Sequence, residues 1–419
     1  MSAILLFAMV MGLLVLRQNI IVILLAAAAY AHMVYGAGEI TYLIDDLWVS
    51  INREVLLAIP MFVLAGAIMT KGSIAERLIA IMRALTQWLP GGLAVATILS
   101  CAVFAALSGS SPVTLLAVGS ILYPALLQEG YSKKFALGAL ASGGTLGVVI
   151  PPSIPMILYG IVTEKSIADL FLAGIIPGIL LTGVLSAYSL IANRNIQSKP
   201  FDLGLLLRSL REGIWAMMTP VILLGGIYTG YFSATEAAAV AVGYSLIVEI
   251  FIHREVKPKD LFEIAVDTSR LFGTLFPIVA VALSINLLLT AEQVPQNFAV
   301  WMTSVVESKI AFLIILNIFL LIIGCLVDIG AAILMLAPIL LPVAEKYGID
   351  PIHFGVIMVV NLEIGYITPP IGLNLIVAMT AFKESFVLIC RAVIPFILLM
   401  IGVLILVVWF PQLSLVLLN

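Results

Sequence analysis

Apolar residues in this chain fall into long blocks, and the polar residues that separate them are few. Blocks at 1–16, 19–36, 55–70, 134–162, 168–192, 213–232, 234–252, 271–291, 352–380 and 392–413 each predict a membrane-spanning helix. The shorter blocks lie near the lower limit, since a hydrocarbon core of ~30 Å needs about 17–25 residues. Two further blocks, 91–127 and 310–346, are interrupted midway. The first is broken by Ser108-Gly109-Ser110-Ser111-Pro112 and the second by Asp328-Ile329-Gly330. Each predicts a re-entrant hairpin that turns at mid-depth, where irregular backbone is tolerated only inside protein or beside water. Amphipathic pieces at Ser73–Leu89, Lys257–Arg270 and Val294–Val306 predict interfacial helices.

Composition agrees with lipid as the main solvent. Of 419 residues, 63% are hydrophobic and 10% charged, where a soluble domain carries roughly 25% charged residues. The mean hydropathy is +1.22. The fold class is therefore an all-α polytopic membrane protein. Met1–Leu16 reads as a retained membrane helix, because no basic stretch precedes it. With the loop after 55–70 placed in the cytoplasm, 16 of the 20 Lys and Arg residues fall on that side. Only Arg53, Lys165, Lys309 and Lys346 fall outside, a strong positive-inside bias. The net charge of −3 implies no nucleic-acid partner. Cys101, Cys325 and Cys390 have no paired spacing, and His32, His253 and His353 are scattered, so neither a disulfide framework nor a metal cluster is expected. No Gly-rich nucleotide loop and no catalytic constellation is visible, which leaves ATP-driven pumping and enzymatic activity without residues to perform them.

One fixed shift of 218 residues aligns the chain with itself. Pro124 pairs with Pro342, Gly130 with Gly348, Gly147 with Gly365, Pro151 with Pro369 and Pro152 with Pro370. Glycine and proline make up only about an eighth of the chain, so five coincidences within some thirty residues mark a repeat. Ser110 at the first hairpin turn falls opposite Asp328 at the second. Five spans and one hairpin per half invert the second half relative to the first, the pattern of alternating-access transporters. The halves are 1–192 (scaffold 1–54, transport elements 91–192) and 213–419 (scaffold 213–270, transport elements 310–413), joined by a cytoplasmic linker at 193–212.

The candidate chemistry lies at the paired breaks. A double proline removes two N–H donors and pushes the preceding residue out of the α region, so unwinding is expected near Gly147–Pro152 and Gly365–Pro370. Carbonyl oxygens freed there cost several kcal/mol each unless satisfied, and a sodium ion can satisfy them. The tips Ser108–Pro112 and Val327–Ala331 would supply further oxygens. Asp328, at mid-depth and without a basic partner in the apolar core, calls for a bound cation or a proton. Glu363 either lines the site or pairs structurally with the hairpin. Ser233 with Glu236 three residues on predicts a capping box.

Six segments together resemble the large membrane subunit of tripartite ATP-independent periplasmic (TRAP) transporters. They are 58–66 (AIPMFVLAG), 106–114 (ALSGSSPVT), 143–160 (GGTLGVVIPPSIPMILYG), 171–178 (FLAGIIPG), 226–242 (GIYTGYFSATEAAAVAV) and 361–378 (NLEIGYITPPIGLNLIVA). The resemblance implies an elevator-type architecture of the ion transporter superfamily in a bacterial inner membrane. It implies sodium-coupled uptake of a small organic anion, such as a C4-dicarboxylate, a sialic acid or a related carboxylate or sulfonate. It further implies a small four-helix membrane subunit (Q) and a periplasmic substrate-binding protein (P) as partners. By motif, one sodium site would use Ser108, Ser110 and the backbone of Gly144, Thr145 and Gly147. The second would use Asp328 and the backbone of Gly365 and Thr368. Substrate would lie near Thr145, Ser153, Thr368 and Asn374. The alternative function is a stand-alone sodium/anion symporter of the same superfamily without a binding protein.

Overall fold

The computed structural model describes residues 2–36 and 40–418; Met1, where the first predicted span begins, lies outside them. Among the described residues every regular element is a helix. The chain opens with α1 (Ser2–Val15), α2 (Ile20–Tyr35) and α3 (Ile40–Ile51), then a 3-10 turn at Glu54–Leu57 that leads into α4 (Ala58–Lys71). The amphipathic α5 (Ile74–Thr86) precedes a hairpin of α6 (Gly92–Ser108) and α7 (Ser111–Gln128). A broken helix follows, α8 (Lys133–Val149) and α9 (Ile154–Thr163), and then α10 (Ile167–Ala192). The second series is α11 (Leu203–Tyr228), α12 (Ala234–Leu246) with a π-helical extension over Ile247–Ile252, α13 (Pro258–Ala291) and α14 (Val294–Val305). It continues with the hairpin α15 (Lys309–Leu326) and α16 (Ile329–Lys346), the broken pair α17 (Pro351–Gly365) and α18 (Leu373–Phe382), α19 (Phe386–Trp409) and the short α20 (Gln412–Leu415).

Ten stretches are helical, long and apolar enough to cross a membrane. Seven coincide with expected spans. The other three are both arms of the second hairpin and the second arm of the first, whereas α1 and α2, with 14 and 16 residues, and the expected span 352–380, divided into α17 and α18 of 15 and 10 residues, fall short. Two boundaries also move. The piece at 257–270 and the span at 271–291 form one helix of 34 residues, because no proline interrupts the chain between Pro258 at its first turn and Pro277. The expected linker at 193–212 is helical from Leu203 on, started by Asp202, whose side chain accepts from the Leu205 amide at 3.0 Å. The capping box forms as expected, with Ser233 and Glu236 exchanging bonds of 2.8 and 3.2 Å.

The repeat extends from motifs to whole elements. α6 and α7 end and begin at Ser108 and Ser111; α15 and α16 do so at Leu326 and Ile329, 218 residues later. α8, α9 and α10 are followed at the same offset, within two residues, by α17, α18 and α19. Packing crosses between the two series: α9 lies on α16 and α18 on α7, while α4 lies on α12 and α13 on α2.

α8 is the most enclosed helix, buried from Phe135 to Val149. Its glycines permit that. A Cβ on Gly138 would stand 2.4 Å from the Ala392 carbonyl of α19, and one on Gly144 would stand 2.8 Å from Leu115 of α7. Small residues that let backbones approach are a usual basis of helix association in lipid. At the start of α8, Lys133 Nζ and the Tyr123 hydroxyl both donate to Glu384 Oε1, at 2.7 and 2.9 Å. That carboxyl joins α7 and α8 to the turn between α18 and α19. The Lys133 ammonium, and then the Tyr123 hydroxyl, hold Glu384 below the ordinary carboxylate range. A depressed carboxyl stabilises the fold above its unfolded pKa, and the stabilisation is lost as pH falls through the folded value. Thermal melts in detergent should therefore show a stability loss as pH drops below about 4, and Glu384→Gln should remove that part of the pH dependence.

Candidate functional site

The first break is shorter than the prolines alone suggested. Gly144, Thr145 and Gly147 all remain helical, and only Ile150–Ser153 leaves the α conformation. Glycine is tolerated in this helix, and single prolines lie inside others, such as Pro124 in α7 and Pro277 in α13; it is the adjacent pair Pro151-Pro152 that ends α8. Ile150 still donates to the Leu146 carbonyl at 2.9 Å. Pro151 and Pro152 lack the N–H groups that would reach the carbonyls of Gly147 and Val148. The Ser153 hydroxyl takes over the Val148 carbonyl and also caps α9 by accepting from the Met156 amide. The tip of the first hairpin is seated on this break. Gly109 closes α6 with φ +58°, and its carbonyl accepts from the Ile154 amide at 3.3 Å.

Oxygens gather where this tip meets α8. Ser108 Oγ lies 2.7 Å from Thr114 Oγ1 and donates to the Ser110 carbonyl at 3.3 Å. A Cβ on Gly147 would stand 2.6 Å from that carbonyl and 2.7 Å from Thr114 Oγ1. Two oxygens thus stand against Gly147, with Ser108 Oγ bonded to both, and the Gly147 carbonyl, like that of Val148, has lost its helical donor. Thr114 was not singled out from sequence, although it lies one helical turn beyond Ser110. Gly144 packs against the Leu115 backbone instead, and the Thr145 hydroxyl is bound to the Ser142 carbonyl of its own helix at 2.6 Å.

The second break differs in chemistry. It runs from Tyr366 to Gly372, and much of its backbone is paired. Thr368 donates through its amide to the Gly365 carbonyl and through its hydroxyl to Ile364, at 2.9 and 2.7 Å. The Asn374 amide reaches the Tyr366 carbonyl at 3.1 Å, and the Gly372 amide reaches Cys325 on the second hairpin at 3.1 Å. Asp328 has protein donors: it caps α16, where Oδ2 accepts from the amides of Gly330 and Ala331 at 2.9 and 3.3 Å. Its Oδ1 accepts from the Tyr366 hydroxyl, which in turn accepts from the Ile329 amide at 3.2 Å. Tyr366 is thus a site residue that sequence reasoning passed over.

A cavity of about 350 Å³ opens between the two tips and the helices α4 and α13. Ser110–Val113 open α7, Ile154 and Pro155 open α9, Asp328–Ala331 open α16 and Leu373 opens α18; all line it. Four helix N-termini therefore border one space, and no basic side chain does. The partial positive charge of helix N-termini suits an anion; the first amides of α9 and α16 are already bonded, to Gly109, Ser153, Tyr366 and Asp328, while α7 and α18 have no side-chain cap. Of the residues expected at the sites, Ser110 and Asp328 line this cavity. Thr145, Ser153 and Asn374 are buried behind it. Asn374 donates to Ser111 Oγ at 2.6 Å and to the Ala141 carbonyl at 3.3 Å, while its Oδ1 has no hydrogen-bond partner. Glu363 is also fully buried, with both carboxyl oxygens unpartnered. Among the described residues the buried Glu249 lacks a hydrogen-bond partner as well, but only at Oε2. Among the described residues no cluster of His, Cys, Asp and Glu has metal-site geometry, and the three cysteines are free.

The model of one family, described as the tripartite ATP-independent periplasmic transporter, DctM component, matches residues 7–413. The chain is 42% identical to the C4-dicarboxylate TRAP transporter large permease protein DctM of Pseudomonas aeruginosa, over 94% of this chain and 93% of that one. It is 40% identical to the isethionate TRAP transporter permease protein DctMQ of Oleidesulfovibrio alaskensis, over 92% of this chain but only 62% of that longer protein. Among solved structures, the YdaH transporter of Alcanivorax borkumensis has a similar fold, with a TM-score of 0.59 at 15% identity, over 88% of this chain and 87% of that one.

Proposed function

Because the chain belongs to the DctM component family of the tripartite ATP-independent periplasmic transporters, and so is a transporter subunit of the inner membrane, we propose that it drives sodium-coupled uptake of a small organic anion. C4-dicarboxylates are the first candidates and sulfonates the second, after the relatives named for C4-dicarboxylate and isethionate. The observation that carries this reading is the cavity bordered by four helix N-termini and no base. The N-termini favour a carboxylate or sulfonate. The complementary ends, where α6 and α8 finish, collect the oxygens of Ser108, Ser110 and Thr114 about Gly147, a donor set of hydroxyl and carbonyl oxygens that suits sodium. The second sodium site is assigned to Asp328 and the break at 365–368.

Sodium also answers an energetic need. Moving one charge across 100 mV is worth about 2.3 kcal/mol, roughly fifty-fold in concentration, and an anion alone would enter against that field. Two sodium ions neutralise a dicarboxylate, and a third makes its uptake electrogenic. In the proposed cycle both hairpins are re-entrant, the two series are inverted repeats, and the hairpins with their broken helices move as one elevator past α4 and α13. The proposed partners are a periplasmic binding protein and a small membrane subunit. More than a third of the relative named DctMQ lies beyond the match to this chain, which leaves room for such a subunit there. The stand-alone symporter remains the second reading, and dependence on the binding protein separates the two.

Reconstitution with both partners in proteoliposomes tests the proposal. Succinate uptake should require an inward sodium gradient, be enhanced by an inside-negative potential if three sodium ions move, and vanish when potassium replaces sodium. Equal uptake in either salt would refute sodium coupling.

A further inference from the structure

The central cavity contains no base, yet an anion has to reach it. A second cavity of about 310 Å³ lies along the same helices, one turn further on. Its wall continues α9 from Leu158 to Ile161, α13 from Val279 to Leu283 and α16 from Leu334 to Pro338. One helical turn is about 5.4 Å, so the two spaces are stacked along one groove with an apolar collar between them. The second cavity is polar, bordered by Arg53, Lys165, Asn286, Thr290 and Glu345 among others. An adjoining space of about 380 Å³ shares Arg53, Glu164 and Lys165 with it.

The two bases in this vestibule are not equivalent. Lys165 is paired with Glu345 at 3.7 Å. Arg53 forms no ion pair within 4 Å among the described residues; its Nη1 donates only to the Ile161 carbonyl, at 3.3 Å. Guanidinium carries five N–H donors in a planar fork that matches a carboxylate or sulfonate, and most of them are uncommitted here. Arg53 is half-buried, on the connection between α3 and the 3-10 turn, and reaches across to the last turn of α9. We propose that Arg53 forms an outer subsite that receives the carboxylate or sulfonate group of the substrate before it passes the collar into the central cavity. The proposal rests on the organic-anion reading above and names the residue that admits that anion. Glu164 borders the vestibule as well, so anions without a group that fits the guanidinium fork gain little there.

The test is succinate uptake by the full complex in proteoliposomes, with the binding protein in excess. Arg53→Gln should raise the half-saturating succinate concentration about tenfold or more, as expected for a lost charge-assisted hydrogen bond. Maximal rate, sodium dependence and co-sedimentation of the binding protein should be unchanged. Arg53→Lys, which keeps the charge without the fork, should fall between the two. The gap between the unaltered protein and Arg53→Gln should narrow in high salt. An unchanged half-saturation, a fall in maximal rate alone, or loss of binding-protein docking would overturn the proposal. The first would mean no subsite, the second a strut between Arg53 and α9, and the third a docking contact. Absence of succinate uptake by the unaltered complex would instead count against the transport reading itself, and the subsite would fall with it.

Discussion

Gly365→Ala is expected to abolish uptake and to lower the melting temperature of whatever protein still inserts. A Cβ at this position would stand 2.4 Å from the carbonyl carbon of Gly324, 2.5 Å from its Cα and 2.8 Å from its oxygen. All three are backbone atoms of α15 and cannot rotate aside. Overpacking a core commonly costs about 1–3 kcal/mol, and a backbone obstacle on both sides belongs at the upper end of that range. Separation of α15 from α17 would also pull Asp328 from Tyr366, because the first belongs to the hairpin tip and the second follows Gly365 directly. The converse change, Gly324→Ala, meets Leu362 at 3.0–3.1 Å and should be milder. Uptake normalised to inserted protein, with melts of the purified variants, decides the order. Normal transport by Gly365→Ala would mean that the two helices are not held at this distance in the working protein.

Asp328→Asn is expected to cut sodium-dependent uptake by at least tenfold with little change in melting temperature, and Asp328→Ala to lose both. The reasoning separates two duties of one carboxylate. As an N-cap it accepts from Gly330 and Ala331, a duty that asparagine performs and alanine does not, at a cost of about 0.5–2 kcal/mol. As a ligand for sodium it supplies a full negative charge, which asparagine lacks. Sodium-induced stabilisation, measured as a melting shift with sodium that potassium does not produce, should shrink in both variants to the part that the first site supplies. If Asp328→Asn keeps sodium-coupled uptake, Asp328 is a helix cap and nothing more, and the second ion site has to be sought elsewhere, with the unpartnered Glu363 the first place to look.

These cases show which features could be read in advance. The hairpin turns and both breaks are legible because Gly and Pro act locally: Pro151-Pro152 and Pro369-Pro370 end a helix whatever surrounds them. The repeat was legible for the same reason. What stayed hidden depends on where side chains meet. Thr114 reads as an ordinary helical residue until the turn at 108–111 folds it back onto Ser108. Tyr366 sits beside Gly365 in sequence, but its importance comes from a hydroxyl that reaches the opposite hairpin. The protein donors of Asp328 are hidden in sequence because the two free amides of its own helix end count as partners only once the start of α16 is known. The merger of 257–270 with the following span was missed because amphipathic character reports a polar face, and a polar face does not end a helix.

The crossed packing has a consequence for how the molecule is made. α9 packs more on α16 than on its own neighbours α8 and α10, and α18 more on α7 than on its own neighbour α19, so each series carries a short helix that the other completes. A nascent chain that has delivered its first half covers α9 only on the side that faces α8 and α10, and the other side waits until Ile329–Lys346 leaves the ribosome. Neither half can complete its own interior, and the two are interlocked like clasped hands.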